Sequence, residues 1–107
     1  MRLIPTLLAL LVTASAAHAR PAQCYVRIDG LLVIDGPCDF AAFGGDGSFQ
    51  VTKPDGGYFA QVNMIRRGVA DGYWNAKRWS GHAHAPLGTL ARHDACWSND
   101  LAQICAW

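Results

Sequence analysis

The fold class this 107-residue sequence predicts is all-β, or β-rich α+β: a small antiparallel sandwich or barrel with two local disulfides. Three observations carry that expectation. Five Asp-Gly dipeptides punctuate the chain: Asp29-Gly30, Asp35-Gly36, Asp46-Gly47, Asp55-Gly56 and Asp71-Gly72. Gly accepts positive φ and Asp bonds its own backbone, so the pair suits tight turns. Glutamate, a good helix former, is absent, and no long stretch after residue 19 shows a 3.6-residue apolar period. Finally, all four cysteines follow a segment that reads as an export signal.

That segment is residues 1–19. Arg2 and the free amine make a positive start, and Leu3 to Val12 is almost wholly apolar. Ala17-His18-Ala19 fits the small-x-small cleavage pattern, as does Ala14-Ser15-Ala16. The apolar run is too short for a membrane span, which needs about 20 residues. The n-region has no Arg-Arg pair, and no lipoprotein signature precedes Cys24. Residues 1–19 are therefore expected to be a secretory signal peptide, and residues 20–107 a single disulfide-stapled β-rich domain. The expected location is the periplasm or the exterior, with no stable membrane insertion after cleavage.

The strands follow in order. Cys24 to Ile28 alternates, and Leu31 to Ile34 is an apolar run that returns beside it. Ser48 to Thr52 and Tyr58 to Asn63 flank Lys53-Pro54-Asp55-Gly56-Gly57, the clearest hairpin signal. Tyr73 to Ala76 and Leu87 to Arg92 are shorter candidates, and Ala95 to Ser98 and Gln103 to Trp107 flank an Asn99-Asp100 turn. A short helix fits near Asp39 to Phe43 or Met64 to Gly68. The terminal Trp107 matches the aromatic end of outer-membrane barrels. Those need at least eight strands of about ten residues, which this chain can barely supply, and its cysteines and short strands fit poorly, so that reading is rejected.

An even cysteine count in a short exported chain implies disulfides. Cys24–Cys38 and Cys96–Cys105 are the expected pairs, because each brackets a hairpin. Loops of this length give about 3 kcal/mol in the chain-entropy model. A domain this small needs such help. The spacing is not that of a structural zinc site, which shows close cysteine pairs.

Function is less legible. After residue 19, eight Lys/Arg face eight Asp, so the domain is near neutral. That balance disfavours nucleic acid, whose phosphates need a basic excess. Ser80 lies near His82, but no G-x-S-x-G elbow is present. The aspartates mostly sit in Asp-Gly pairs. No catalytic residue, resident metal or cofactor is assigned. The stretch from Lys77 to Pro86 lacks periodicity and holds His82 and His84; with His93 these define an alternative, a small metal-binding protein or metal-dependent enzyme. Arg66-Arg67 and Lys77-Arg78 suggest a basic patch beside aromatics. Candidate binding residues are Tyr73, Trp74, Lys77, Arg78, Trp79, His82 and His84, since Trp and Arg anchor many interfaces.

Size, compartment and cysteine use resemble those of small periplasmic lysozyme inhibitors and immunity proteins, by class and not by motif. The leading expectation is a non-enzymatic binding or inhibitor module of the cell envelope, with an envelope or secreted protein or a glycan as partner. A structural or accessory envelope protein is a further alternative.

Overall fold

A computed structural model describes residues 19–107; the expected signal, apart from Ala19, lies outside the described residues. Eight strands follow one another: β1 (Arg20–Ile28), β2 (Leu31–Phe43), β3 (Ser48–Thr52), β4 (Phe59–Arg66), β5 (Val69–Trp74), β6 (Ala85–His93), β7 (Cys96–Ser98) and β8 (Ala102–Ala106). Each pairs antiparallel with the next, and β8 pairs with β1, so the sheet closes into an up-and-down barrel. Of the two expected architectures, the barrel is the one formed.

The interior is apolar. Along β1, Ala22, Cys24, Val26 and Ile28 are buried, while Gln23 and Arg27 between them are exposed. Val26, Val51, Val62, Leu90 and Ile104 have no exposure, so strands from all round the wall meet at one core. Full burial of such a side chain stabilises by about 1.5–3 kcal/mol. Apolar-in, polar-out alternation is the inverse of an outer-membrane barrel, which presents apolar residues outward.

The disulfides join Cys24 to Cys38 and Cys96 to Cys105. Cys24 and Cys38 belong to the core cluster; Cys96 and Cys105 border a groove that Cys24, Tyr25 and Trp107 also line. Such staples fit an oxidising compartment.

Several expected details change. Only three Asp-Gly pairs lie in connections. Asp29 (φ 49) and Gly30 (φ 75) make the β1–β2 turn, both residues left-handed as a type I′ turn requires. Asp35-Gly36 and Asp71-Gly72 instead lie within β2 and β5. β2 runs for 13 residues because it serves two neighbours: Leu31 to Phe40 faces β1, and Asp39 to Phe43 faces β3. Pro37 falls where β1 is its only ladder partner, as proline in a sheet requires.

Neither expected helix forms. Asp39 to Phe43 is held extended by its ladder to β3. Met64 to Gly68 is the end of β4 and its turn into β5. Unpaired residues at three register shifts explain why the alternation was hard to read there. The shift between β5 and β6 leaves Leu87 without a ladder partner, and both Leu87 and Leu90 reach the core.

Gly72 marks the tightest packing. A β-carbon there would stand 2.7 Å from Leu90 Cδ1 and 3.1 Å from Leu87 Cβ, both on buried residues. Gly72→Ala is therefore expected to lose about 1–3 kcal/mol by overpacking. Gly81, with open space at its β-carbon position, should accept alanine within about 0.5 kcal/mol. Urea unfolding of the two variants measures the difference.

Candidate functional site

The alternating meander sorts the connections between two ends. The β1–β2, β3–β4, β5–β6 and β7–β8 connections share one end; the other three share the opposite end with the start of β1 and the finish of β8. The first end carries the long β5–β6 connection, residues 75–84. It holds most of the aperiodic stretch Lys77 to Pro86, whose last two residues begin β6, together with Asn75 and Ala76, which were expected as strand.

Asn75 organises it. Its side chain is 0% exposed, one of two buried polar side chains among the described residues. Oδ1 accepts the Phe59 N–H at 3.2 Å. Nδ2 donates toward the carbonyls of Gly57, Lys77 and Ser80, at 3.0, 3.1 and 3.1 Å. Two amide hydrogens are thus shared among three acceptors, tying the β5–β6 connection to the β3–β4 hairpin. Such a network is strong when satisfied and costly when broken.

The strap that results presents Arg78 and Trp79. The Trp79 N–H donates to Gly57 O at 2.9 Å. The Arg78 side chain lies against Gly57, where a β-carbon would sit 3.1 Å from Arg78 Cγ. This explains the second glycine of the hairpin, which the turn alone does not demand. Arg78 Nη2 meets Asp55 Oδ2 at 2.9 Å, the one ion pair among the described residues. Its guanidinium also stands 5.3 Å from the Trp79 ring centroid. A hydrogen bond from the Gly57 N–H is the chief cause that holds the Asp55 carboxyl below its ordinary pKa; desolvation is the next largest effect and opposes it, and the Arg78 and Lys53 charges lower it further. Asp55 therefore stays ionised and keeps the guanidinium oriented.

Trp79 is 63% exposed, more than any other large apolar side chain among the described residues. Its φ is 70, in the left-handed region, and Ala76 at φ 58 shares it. For a bulky residue this is an outlier that costs about 1–3 kcal/mol and persists only when surroundings over-determine it. The Asn75 network supplies that constraint.

The expected binding residues divide accordingly. Lys77, Arg78 and Trp79 are exposed on the strap. Trp74 packs on the core and stacks with Tyr58, centroids 6.1 Å apart, so it closes the barrel end. Tyr73, its neighbour on β5, points to the outer wall by strand alternation. His82 and His84 are exposed, with His84 Nδ1 3.0 Å from His82 O. The metal set of His82, His84 and His93 does not assemble. His84 precedes the nine residues of β6 and His93 ends them, a separation of roughly 30 Å at about 3.3 Å per residue. Among the described residues no three His, Cys, Asp or Glu side chains gather as a metal site. Arg66 ends β4 and Arg67 follows it in the β4–β5 connection, at the opposite end, so no patch forms with Lys77 and Arg78. Sequence reasoning passed over Asn75, and read Asp55 as a turn residue only.

No family model matches the chain, and neither a curated protein nor a solved structure matches it.

Replacing Asn75 tests whether it holds the strap. Asn75→Ala leaves the Phe59 N–H and the Ser80 carbonyl without a partner, at about 1–3 kcal/mol for each if water cannot reach it, while the Gly57 and Lys77 carbonyls keep the Trp79 and Ser80 N–H groups. A loss of about 2 kcal/mol or more in urea unfolding is expected. An unchanged midpoint would show that the strap is held by other contacts.

Proposed function

We propose that this protein is a non-enzymatic binding or inhibitor module that acts in the periplasm or outside the cell, after removal of residues 1–19. The strap carrying Arg78 and Trp79 is its binding face, and its partner is an envelope or secreted protein. The observation that carries this reading is Trp79, exposed on left-handed backbone and fixed by a buried amide. A strained conformation that a fold maintains at its surface points to use of that surface. Tryptophan and arginine are the anchors that contribute most at protein interfaces. Preorganisation adds to this, because ordering a loop on binding weakens affinity. The near-neutral charge supports a protein or glycan partner over nucleic acid. The paired cysteines support an oxidising location and leave no free thiol among the described residues.

The test is affinity capture from the envelope and secreted fractions of the native cell, with Trp79→Gly and Arg78→Ala as comparison baits. Glycine suits the φ of residue 79, so the first variant removes the ring and keeps the backbone. The parent should retain a discrete partner, and each variant should retain about tenfold less, in line with hot-spot truncation. Recovery of no partner in repeated captures, or equal recovery by all three baits, would contradict the reading.

A further inference from the structure

The opposite end of the barrel holds a second concavity, independent of the strap. Where β1 begins, β8 ends and the β2–β3 and β6–β7 connections turn, the wall leaves a cavity of ≈ 220 Å³. Phe40, Phe49 and Trp97 form its apolar side. The two phenyl rings stack with centroids 5.0 Å apart. Phe49 and Trp97 are buried members of the core, so the closed sheet fixes this aromatic surface in place.

Two cations stand over it. Arg20 Cζ lies 4.3 Å from the Phe40 ring centroid, and Arg92 Cζ lies 5.9 Å from that of Trp97. Both guanidiniums border the cavity, from strands β1 and β6. Neither forms an ion pair among the described residues. Arg92 Nε donates to Asp94 O at 3.0 Å, and Arg20 Nη1 reaches Pro21 O at 3.4 Å. The terminal nitrogens of Arg92 and the Nη2 and Nε of Arg20 make no hydrogen bond within the described residues. Asp94 also borders the cavity, so the side chains at the rim carry two positive charges and one negative, and removal of residues 1–19 adds the α-ammonium of Arg20.

We propose that this mouth binds a small monocarboxylate with a flat apolar body, an aromatic acid of about benzoate's size. The ring would lie among Phe40, Phe49 and Trp97, with the carboxylate between Arg20 and Arg92. A guanidinium fork matches a planar carboxylate by two parallel hydrogen bonds, and a guanidinium held over an aromatic face is already oriented to do so. Mouths of β-barrels are frequent ligand sites. Size sets the class: the cavity lies below the roughly 300–1,000 Å³ of drug-sized sites. Depth sets it further. Val51, Leu90 and Ile104 fill the barrel interior without exposure, so an extended acyl chain has no room to descend.

The test is an amide and indole NMR titration of the purified, disulfide-intact protein. Sodium benzoate is the probe, with benzamide as a neutral isostere and decanoate as the long-chain arm, at constant ionic strength. Benzoate should give saturating shifts at Phe49, Ala95 and the Trp97 indole. Benzamide should bind about tenfold more weakly, since it lacks the charge that strengthens each hydrogen bond. Decanoate should bind no more tightly than benzoate. Arg20→Gln and Arg92→Gln, both at exposed positions, should each weaken benzoate about fivefold or more while the remaining spectrum stays in place. Absence of saturation, equal binding of benzamide, unaltered binding by both glutamine variants, or shifts centred on Trp79 would each overturn the proposal. The benzoate–benzamide comparison needs only the unaltered protein, so it stands even if a variant fails to fold. Failure here leaves the strap's capture experiment untouched, because the two sites occupy opposite ends.

Discussion

The pairing of β8 with β1 is the contact on which everything else depends. A meander of eight strands left open would present two edges and half a core to water. Here five register pairs, from Cys24↔Ala106 to Ile28↔Ala102, join the first strand to the last. Main-chain bonds between Gln23 and Trp107, and from Asp29 N–H to Leu101 O, continue the seam at both ends. Val26 and Ile104 face each other across it with no exposure at all. Closure removes the unpaired edges that would otherwise template aggregation. The strands beside the seam are short: β7 has three residues and β8 five. A hairpin of that size is marginal in water. The Cys96–Cys105 staple holds it, and Cys24–Cys38 holds β1 to β2 on the other side. The seam is thus clamped by one disulfide on each flank.

Closure also decides where function can sit. With the interior filled, a ligand has the outer wall and the two ends. The ends differ because the connections differ. One end has the ten-residue strap 75–84, folded back on the β3–β4 hairpin and projecting Arg78 and Trp79. The other has short turns, and its rim is left open over Phe40, Phe49 and Trp97. The barrel therefore has a projecting face at one end and a recess at the other.

The strands were legible because alternation and Asp-Gly pairs are local signals. Part of each strand, both hairpin staples and the Lys53 to Gly57 turn could be read from neighbours in sequence, but Tyr73 to Ala76 caught only the last two residues of β5 and Leu31 to Ile34 only the first four of β2. What was not legible depends on distant residues. Asp71-Gly72 looks like a turn, yet Gly72 is small because Leu87 and Leu90 pack over it from β6. Asp35-Gly36-Pro37 looks like a break, yet β2 continues through it because β1 pairs along its length. Asn75 carries no motif: its role lies in carbonyls of Gly57, Lys77 and Ser80 and the amide of Phe59, which only the fold brings together. The reverse error occurred with His93, near His84 in sequence but at the far end of β6.

Hydrogen exchange read residue by residue along β1 tests the closed seam most directly. A strand with partners on both sides has consecutive amides bonded, whereas an edge strand has alternate amides open to water. The closed barrel predicts strong protection at successive amides from Cys24 to Ile28, matched across β8 from Ala102 to Ala106. Protection at every second amide of β1, with the others exchanging as free chain, would contradict closure and the two-ended arrangement built on it.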